Sequence, residues 1–309
     1  MENAIDIIKP VKLTDRFFQL GTPFFPVYLS IGDEAMLIEG GTGGAFNLIL
    51  EQLKEVGVEE EKIKYIALTH SHGDHIGLVP HLIPRWKHTK LAASDKAAEL
   101  LKNDKVIKGF LDMDAFIAER LKSIGETNDL APEADDVEFN VDMIVDDGDK
   151  IDLGSGVVWN IKKISGHSPC QIALYEENED TLVVGDAAGL YFPKADAFWP
   201  EYFISLEQYC NTLHQLSELP GKRTALSHFG VVNSDSKKFL KRSLNATEAY
   251  HNEMIERTRK GEDPDVIANE KAKWVLTNHN YMTFEITEQM CKLLIKRSQK
   301  DADKENLFG

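Results

Sequence analysis

Long apolar runs are missing from this 309-residue chain. No stretch approaches the roughly 18 consecutive apolar residues of a membrane span, so no membrane partner is expected. Cysteine is scarce: Cys170, Cys210 and Cys291 are widely spaced and form no CxxC. That excludes a disulfide scaffold and fits free thiols in a reducing compartment. The 21 glycines are far too few for a collagen repeat. Positive charge is in deficit, with 35 Lys and Arg against 51 Asp and Glu, a net charge of −16. Such a chain repels phosphate backbones, which argues against a nucleic-acid partner. The segment from Met1 to Leu13 alternates charged and apolar residues and has no signal-peptide h-region, so a cytoplasmic protein is expected.

What is present describes a globular enzyme-sized chain. At 42% apolar residues it is too apolar for disorder. Its length allows one large domain, or one domain with an appendage. The stretch Glu126 to Lys150 holds ten acidic residues and one lysine and reads as solvated surface.

Alternation and turn residues predict strands at Phe17–Leu20, Val27–Ile31, Ala35–Ile38, Ile63–Leu68 and Leu91–Ala93. Further strands are predicted at Met143–Val145, Val157–Ile164, Gln171–Tyr175, Thr181–Val184 and Thr224–Leu226. The cluster Gly40 to Gly44 lacks the Gly-Lys-Ser/Thr of a phosphate loop and reads as a turn leading into a helix. Val106, Phe110, Met113, Ile117, Leu121 and Ile124 recur every three or four residues. They mark an amphipathic helix inserted between strands, with the insertion spanning about 105–135. A helix is expected over Leu206–Leu219. After Asn233 only helices follow, one starting at Asp263-Pro264 and the last burying Ile286, Met290, Leu293 and Leu294. The expected division is a catalytic domain over 1–232 and a helical appendage over 233–309.

The sharpest signal is His70-Ser71-His72-Gly73-Asp74-His75, four potential ligands in six residues. The motif directly follows a predicted strand, and a glycine-containing loop lets its side chains converge. Imidazole and carboxylate suit zinc, iron or manganese. Three more candidates also follow strands: His167, Asp186 and His228. Cys170 lies near His167 but is expected to face the core.

On these residues the chain is similar to the metallo-β-lactamase-fold hydrolases, whose HxHxDH, His, Asp, His pattern covers about 15–230. The resemblance implies an α/β (α+β) four-layer αβ/βα sandwich with a C-terminal helical extension. It implies two divalent metal ions, one held by His70, His72 and His167, the other by Asp74, His75 and His228, with Asp186 bridging. It also implies a water between the metals that attacks as hydroxide. Asp74 is then either a ligand only or also the proton acceptor.

Departures narrow the branch. Flavodiiron proteins carry Glu where His72 stands, and type II glyoxalases have a different motif around the last histidine than Leu226-Ser227-His228-Phe229-Gly230. Leu37-Ile38-Glu39-Gly40-Gly41 departs from the usual Asp-Thr-Gly turn. Together with Phe25 to Leu29, Gly185-Asp186-Ala187 and Trp199 to Leu216, it resembles the quinolone-signal response thioesterases, which cleave 2-aminobenzoylacetyl-CoA. That resemblance implies a thioesterase or esterase on a small acyl or aryl substrate, includes iron among the metals, and points to a homodimer. A lactonase or phosphodiesterase using the same site, or a regulatory protein retaining its metals, stays open.

Tyr191, Phe192, Phe198, Trp199, Tyr202 and Phe203 crowd the segment after Asp186. They form either an apolar slot, with Phe192, Phe198, Trp199 and Tyr202 as substrate contacts, or core packing. Tyr191 is a candidate hydrogen-bond donor to an oxyanion. The ligand assignment predicts that His72→Ala abolishes turnover while the circular dichroism spectrum stays near wild type. Near wild-type activity in that variant would refute the assignment.

Overall fold

The computed structural model describes residues 8–128, 130 and 138–309. The N-terminal reading for residues 1–7, and the insertion reading at 129 and 131–135, lie outside the described residues. By spatial proximity the chain clusters into two units. Of the described residues, unit 1 comprises those up to 163, 170–185 and 225–232, and unit 2 comprises 164–169, 186–224 and 233–309. The sequence division at 232 follows a change in texture. Unit 2 contains both the aromatic segment and the C-terminal helices.

Unit 1 is built on two sheets. The first runs in chain order: β1 (Val11–Lys12), β2 (Phe17–Gly21), β3 (Pro26–Ile31), β4 (Ala35–Ile38), β5 (Ile63–Ala67), β6 (Lys90–Ser94) and β7 (Met143–Val145). Strands β1 to β4 pair antiparallel through short turns. Strands β4 to β7 pair parallel, which demands crossover connections. Helices α1 (Phe46–Val56), α2 (Val79–Arg85), α3 (Asp95–Leu100) and α4 (Asp104–Ser123) lie in those connections. The second sheet contains β8 (Lys150–Asp152), β9 (Val158–Lys163), β10 (Ile172–Glu176) and β11 (Thr181–Gly185). After the two-stranded hairpin β12 (Leu190–Phe192) and β13 (Ala197–Trp199), the second sheet continues with β14 (Arg223–Leu226) and β15 (Val231–Val232).

Two apolar layers hold unit 1 together. Phe17, Tyr28, Met36 and Ile38 of the first sheet pack with Trp159, Ile161, Leu174 and Val183 of the second. On the opposite face of the first sheet, Leu29, Leu37 and Ile66 pack with Ile49 and Leu53 of α1 and Leu82 of α2. Polar side chains inside the sandwich are paired across it. The Trp159 indole donates to Ser30 Oγ (2.8 Å), and the Tyr28 hydroxyl donates to the Leu226 carbonyl (2.5 Å). The second bond fixes the end of β14 just before Ser227 and His228. This is the mixed α/β sandwich expected.

Helix α4 corrects one detail of the sequence reading. Its buried face comprises Ile107, Asp114, Ile117, Ala118 and Leu121, whereas Met113 is exposed. The face is rotated because Asp114 points inward and accepts from the Gly43 N–H at 3.1 Å through both oxygens. Burial raises the Asp114 carboxyl to about 7, against the opposing effect of its hydrogen bonds from Thr42 and Gly43.

Unit 2 contains the β12–β13 hairpin and helices α5 (Leu206–Ser217), α6 (Ser236–Arg259), α7 (Pro264–Leu276) and α8 (Phe284–Lys300). Asp263 caps α7, with Pro264 in its first turn. The last helix buries Thr287, Cys291, Leu294, Ile295 and Ser298, a face shifted from the predicted one. Small residues there allow close approach, and Ser298 Oγ meets the Tyr202 hydroxyl at 2.7 Å. Among the described residues, no helix is long and apolar enough to cross a membrane.

Asp114 gives a pH signature. A folded pKa raised above the ordinary value of 3.8 means the folded state holds the extra proton between about pH 4 and 7. Stability therefore falls as pH rises through that window, by on the order of 4 kcal/mol in total for this group. Asp114→Asn should flatten that segment of the profile. Urea midpoints measured from pH 4 to 8 on metal-free protein test this, and parallel profiles would refute it.

Candidate metal centre

In unit 1 the HxHxDH loop begins where β5 ends. The Leu68 N–H bonds the Ala92 carbonyl (2.9 Å) and the Thr69 carbonyl accepts from Ile172 N–H (2.8 Å). Both sheets of the unit therefore hold the loop at its base. Its far side is held by the Gly40-Gly41 turn. Gly40 N–H donates to the His75 carbonyl (2.9 Å), and Gly77 N–H donates to the Gly41 carbonyl (2.8 Å). A Cβ at Gly40 would lie 2.4 Å from that His75 oxygen, so only glycine permits this approach.

His70, His75 and His228 are buried, and Asp74 is mostly so. Asp74 Oδ2 lies 3.4 Å from His75 Nε2 and 3.6 Å from His228 Nε2. The three donor atoms all lie within 4.8 Å of one another. Ligands bound at about 2.1 Å in a tetrahedral site stand about 3.4 Å apart, so this spacing is that of a coordination shell. His70 Nε2 and His72 Nδ1 face each other at 3.0 Å.

Hydrogen bonding prepares the nitrogens. His228 Nδ1 contacts the Phe24 carbonyl at 2.9 Å. A carbonyl can only accept, so Nδ1 carries the proton and Nε2 presents its lone pair. His75 Nδ1 contacts Glu39 Oε2 at 3.2 Å, which leaves its Nε2 in the same state. Two imidazole lone pairs and a carboxylate oxygen thus converge, an arrangement that is repulsive until a cation or a proton sits among them. The donor chemistry and spacing fit a divalent metal.

Glu39, which the sequence motifs do not mark as a site residue, orients His75 through its Nδ1. It follows β4, is 1% exposed and has a φ of 80°. Its Oε1 accepts from the Thr69 hydroxyl (2.7 Å) and from the Ser227 hydroxyl. It thereby ties the ends of β4, β5 and β14 together while orienting His75. The one signal for it in the sequence is an acidic residue closing an apolar strand before two glycines.

Unit 2 carries His167 and Asp186. His167 Nε2 lies 3.3 Å from Asp186 Oδ2, again a coordination-shell spacing. Glu201, which sequence reasoning missed, is buried beside them, and one donor atom from each of the three lies within 4.8 Å of the others. A lone acidic residue inside an aromatic run gave little sign of this. The His167 ring is 5.3 Å from that of Phe203.

The aromatic candidates take different places in unit 2. Trp199 and Tyr202 are fully buried, and Phe192 packs on Trp274 and His279. The Tyr191 hydroxyl donates to Asp196 (2.7 Å), and its ring lies against Phe198 and Phe239. Cys170 is buried in the core of unit 1, with Sγ 3.3 Å from Ser71 Oγ.

Residues 26–228 match the sequence profile of the metallo-beta-lactamase superfamily. The chain belongs to that superfamily. Membership implies divalent metal binding, in accord with the donor sets above. The chain is 27% identical over 173 residues to a metallo-beta-lactamase fold-containing protein, ST1585, of Sulfurisphaera tokodaii, covering 56% of this chain and 63% of that one. It is 37% identical over 76 residues to a probable metallo-hydrolase, MJ0888, of Methanocaldococcus jannaschii, covering 25% of this chain and 35% of that one. It thus spans less than two thirds of the length of either relative. Among solved structures, ST1585 superposes with a TM-score of 0.54 at 22% identity over 75% of this chain and 86% of that one. The subclass B3 metallo-beta-lactamase BJP-1 of Bradyrhizobium japonicum gives 0.57 at 18% identity over 85% and 99%. These two likenesses are of fold.

Removing the Glu39 carboxylate leaves two buried hydroxyls and one imidazole N–H without their acceptor. Glu39→Ala should cost about 2–4 kcal/mol of stability and weaken metal binding about 10–100-fold. Chemical denaturation and zinc titration against a competing chelator measure the two effects. Wild-type zinc affinity in the variant would contradict the orienting role.

Proposed function

We propose that the protein is a metal-dependent hydrolase that cleaves a thioester or ester of a small acyl or aryl acid. The observation that carries this reading is the convergence of Asp74, His75 and His228, whose donor atoms have the spacing and lone-pair orientation of a ligand set. The proposed ligands are His70, His72, Asp74, His75, His167, Asp186 and His228, as the superfamily pattern assigns them, for two ions of zinc, iron or manganese. These residues would hold a divalent ion, which when bound would supply an acidified water and a Lewis acid for a substrate carbonyl.

The chain's own residues supply the remaining functions. Asp74, more exposed than the proposed ligands His75 and His228, would take the proton from the attacking water. Glu39 and the Phe24 carbonyl hold two imidazoles in one tautomer, so no reorientation is needed during turnover. Tyr191 would serve as an oxyanion donor only after releasing Asp196.

The thioester preference rests on the resemblance to the quinolone-signal response thioesterases and on Phe203, half-buried with its ring 5.3 Å from that of His167; Phe192, Trp199 and Tyr202 are buried as core packing. Both the soluble small-molecule substrate and a homodimeric state belong to the same proposal.

A substrate panel tests it: an aryl thioester, an aliphatic acyl-CoA, S-lactoylglutathione, an acyl-homoserine lactone and a bis-aryl phosphodiester, each with metal-loaded protein. The expected result is a kcat/KM for the aryl or acyl thioesters at least tenfold above the rest, lost on chelation. Turnover confined to the lactone or the phosphodiester would overturn the substrate class.

A further inference from the structure

Glu201 is a buried carboxylate, 3% exposed, in a segment whose apolar neighbours Trp199 and Tyr202 are fully buried. Placing a carboxylate there is costly unless something nearby compensates its charge. It lies beside His167, on the edge of the ring away from Asp186. His167 Nε2 is 3.3 Å from Asp186 Oδ2, and His167 Nδ1 is 3.8 Å from Glu201 Oε2. The two carboxylates thus address the two different nitrogens of one imidazole.

An imidazole that gives Nε2 to a metal carries its proton on Nδ1. A carboxylate on the Nδ1 side favours that tautomer, fixes the ring plane and raises the basicity of Nε2. We propose that Glu201 is a positioning residue of the metal centre, holding His167 so that Nε2 is presented on the Asp186 side. This rests on the reading of His167 as a metal ligand.

The backbone is arranged to keep the two residues in register. The Glu201 carbonyl accepts from the Phe203 N–H (2.8 Å). Immediately after, the N–H groups of Ile204 and Ser205 donate to the Gly166 carbonyl at 2.9 and 3.3 Å. Gly166 precedes His167, so the Glu201 segment and the His167 loop are bonded to each other. A Cβ at Gly166, whose φ is +116°, would lie 2.3 Å from the Tyr209 nitrogen. The loop therefore sits directly on the start of α5, which Ser205 caps through the Gln208 N–H. Direct ligation by Glu201 is the rival role, and the ring geometry disfavours it because Glu201 faces the nitrogen that Asp186 does not.

The test compares wild type, Glu201→Gln, Glu201→Leu and His167→Ala. Zinc affinity and stoichiometry are read by chelator competition, with the cobalt(II) visible spectrum as a second signature. The expected result is full stoichiometry in both Glu201 variants. Affinity should fall about 10–100-fold in Glu201→Leu, and less in Glu201→Gln, whose amide oxygen keeps a negative dipole towards Nδ1. Their cobalt bands should shift, and His167→Ala should lose far more affinity. Wild-type affinity and spectrum in both Glu201 variants, with or without lower metal-free stability, would overturn the positioning role while leaving His167 as a ligand. Loss of an ion from Glu201→Leu equal to that from His167→Ala would replace it with direct ligation. Wild-type zinc binding by His167→Ala would overturn the underlying reading of His167, and the proposal with it.

Discussion

One buried carboxylate organises unit 1. Glu39 accepts from His75 Nδ1, the Thr69 hydroxyl and the Ser227 hydroxyl, which come from the loops after β5 and β14. Three donors can offset the desolvation of one carboxylate that a single donor could not. The cost of burying it is thereby turned into a constraint, since neither loop can shift without leaving charge or hydroxyl unpaired. His75 inherits its tautomer from that constraint, and His228 follows Ser227 by one residue. The convergence of His75 and His228 on Asp74 is therefore a consequence of how the strand ends are bonded.

The same logic explains the glycines. The Gly40-Gly41 turn carries no side chain into the space where the motif loop returns, and its amides bond that loop directly. A turn with Cβ atoms there would push His75 away from Glu39. Thus the departure from an Asp-Thr-Gly turn, visible in the sequence as Glu39-Gly40-Gly41, has a definite structural meaning. The longer acidic side chain reaches three partners, and Gly40 makes room for the returning His75 backbone.

Much of this was legible in the residues. The longer strands of both sheets follow from alternation and turn residues, and the HxHxDH motif announces itself by density of ligand types. What escaped was of two kinds. Short elements such as β8 and the β12–β13 hairpin give too few residues for periodicity to speak. Faces set by polar contacts were also misjudged: α4 turns inward on Asp114 and α8 on Ser298, positions that a hydrophobicity pattern marks as outward. Glu39 and Glu201 were missed as orienting groups for a related reason. A buried acid looks like any surface acid until its partners, distant in sequence, are brought to it.

The proposed metal chemistry requires that Asp74, His75 and His228 form a coordination shell. Anomalous diffraction from zinc-soaked crystals, recorded on both sides of the zinc absorption edge, addresses that claim without reference to any substrate. The account predicts a zinc peak about 2.0–2.2 Å from Asp74 Oδ2, His75 Nε2 and His228 Nε2. A zinc-soaked crystal with no anomalous peak at these atoms, and water or protein donors against the two imidazole nitrogens instead, would contradict it.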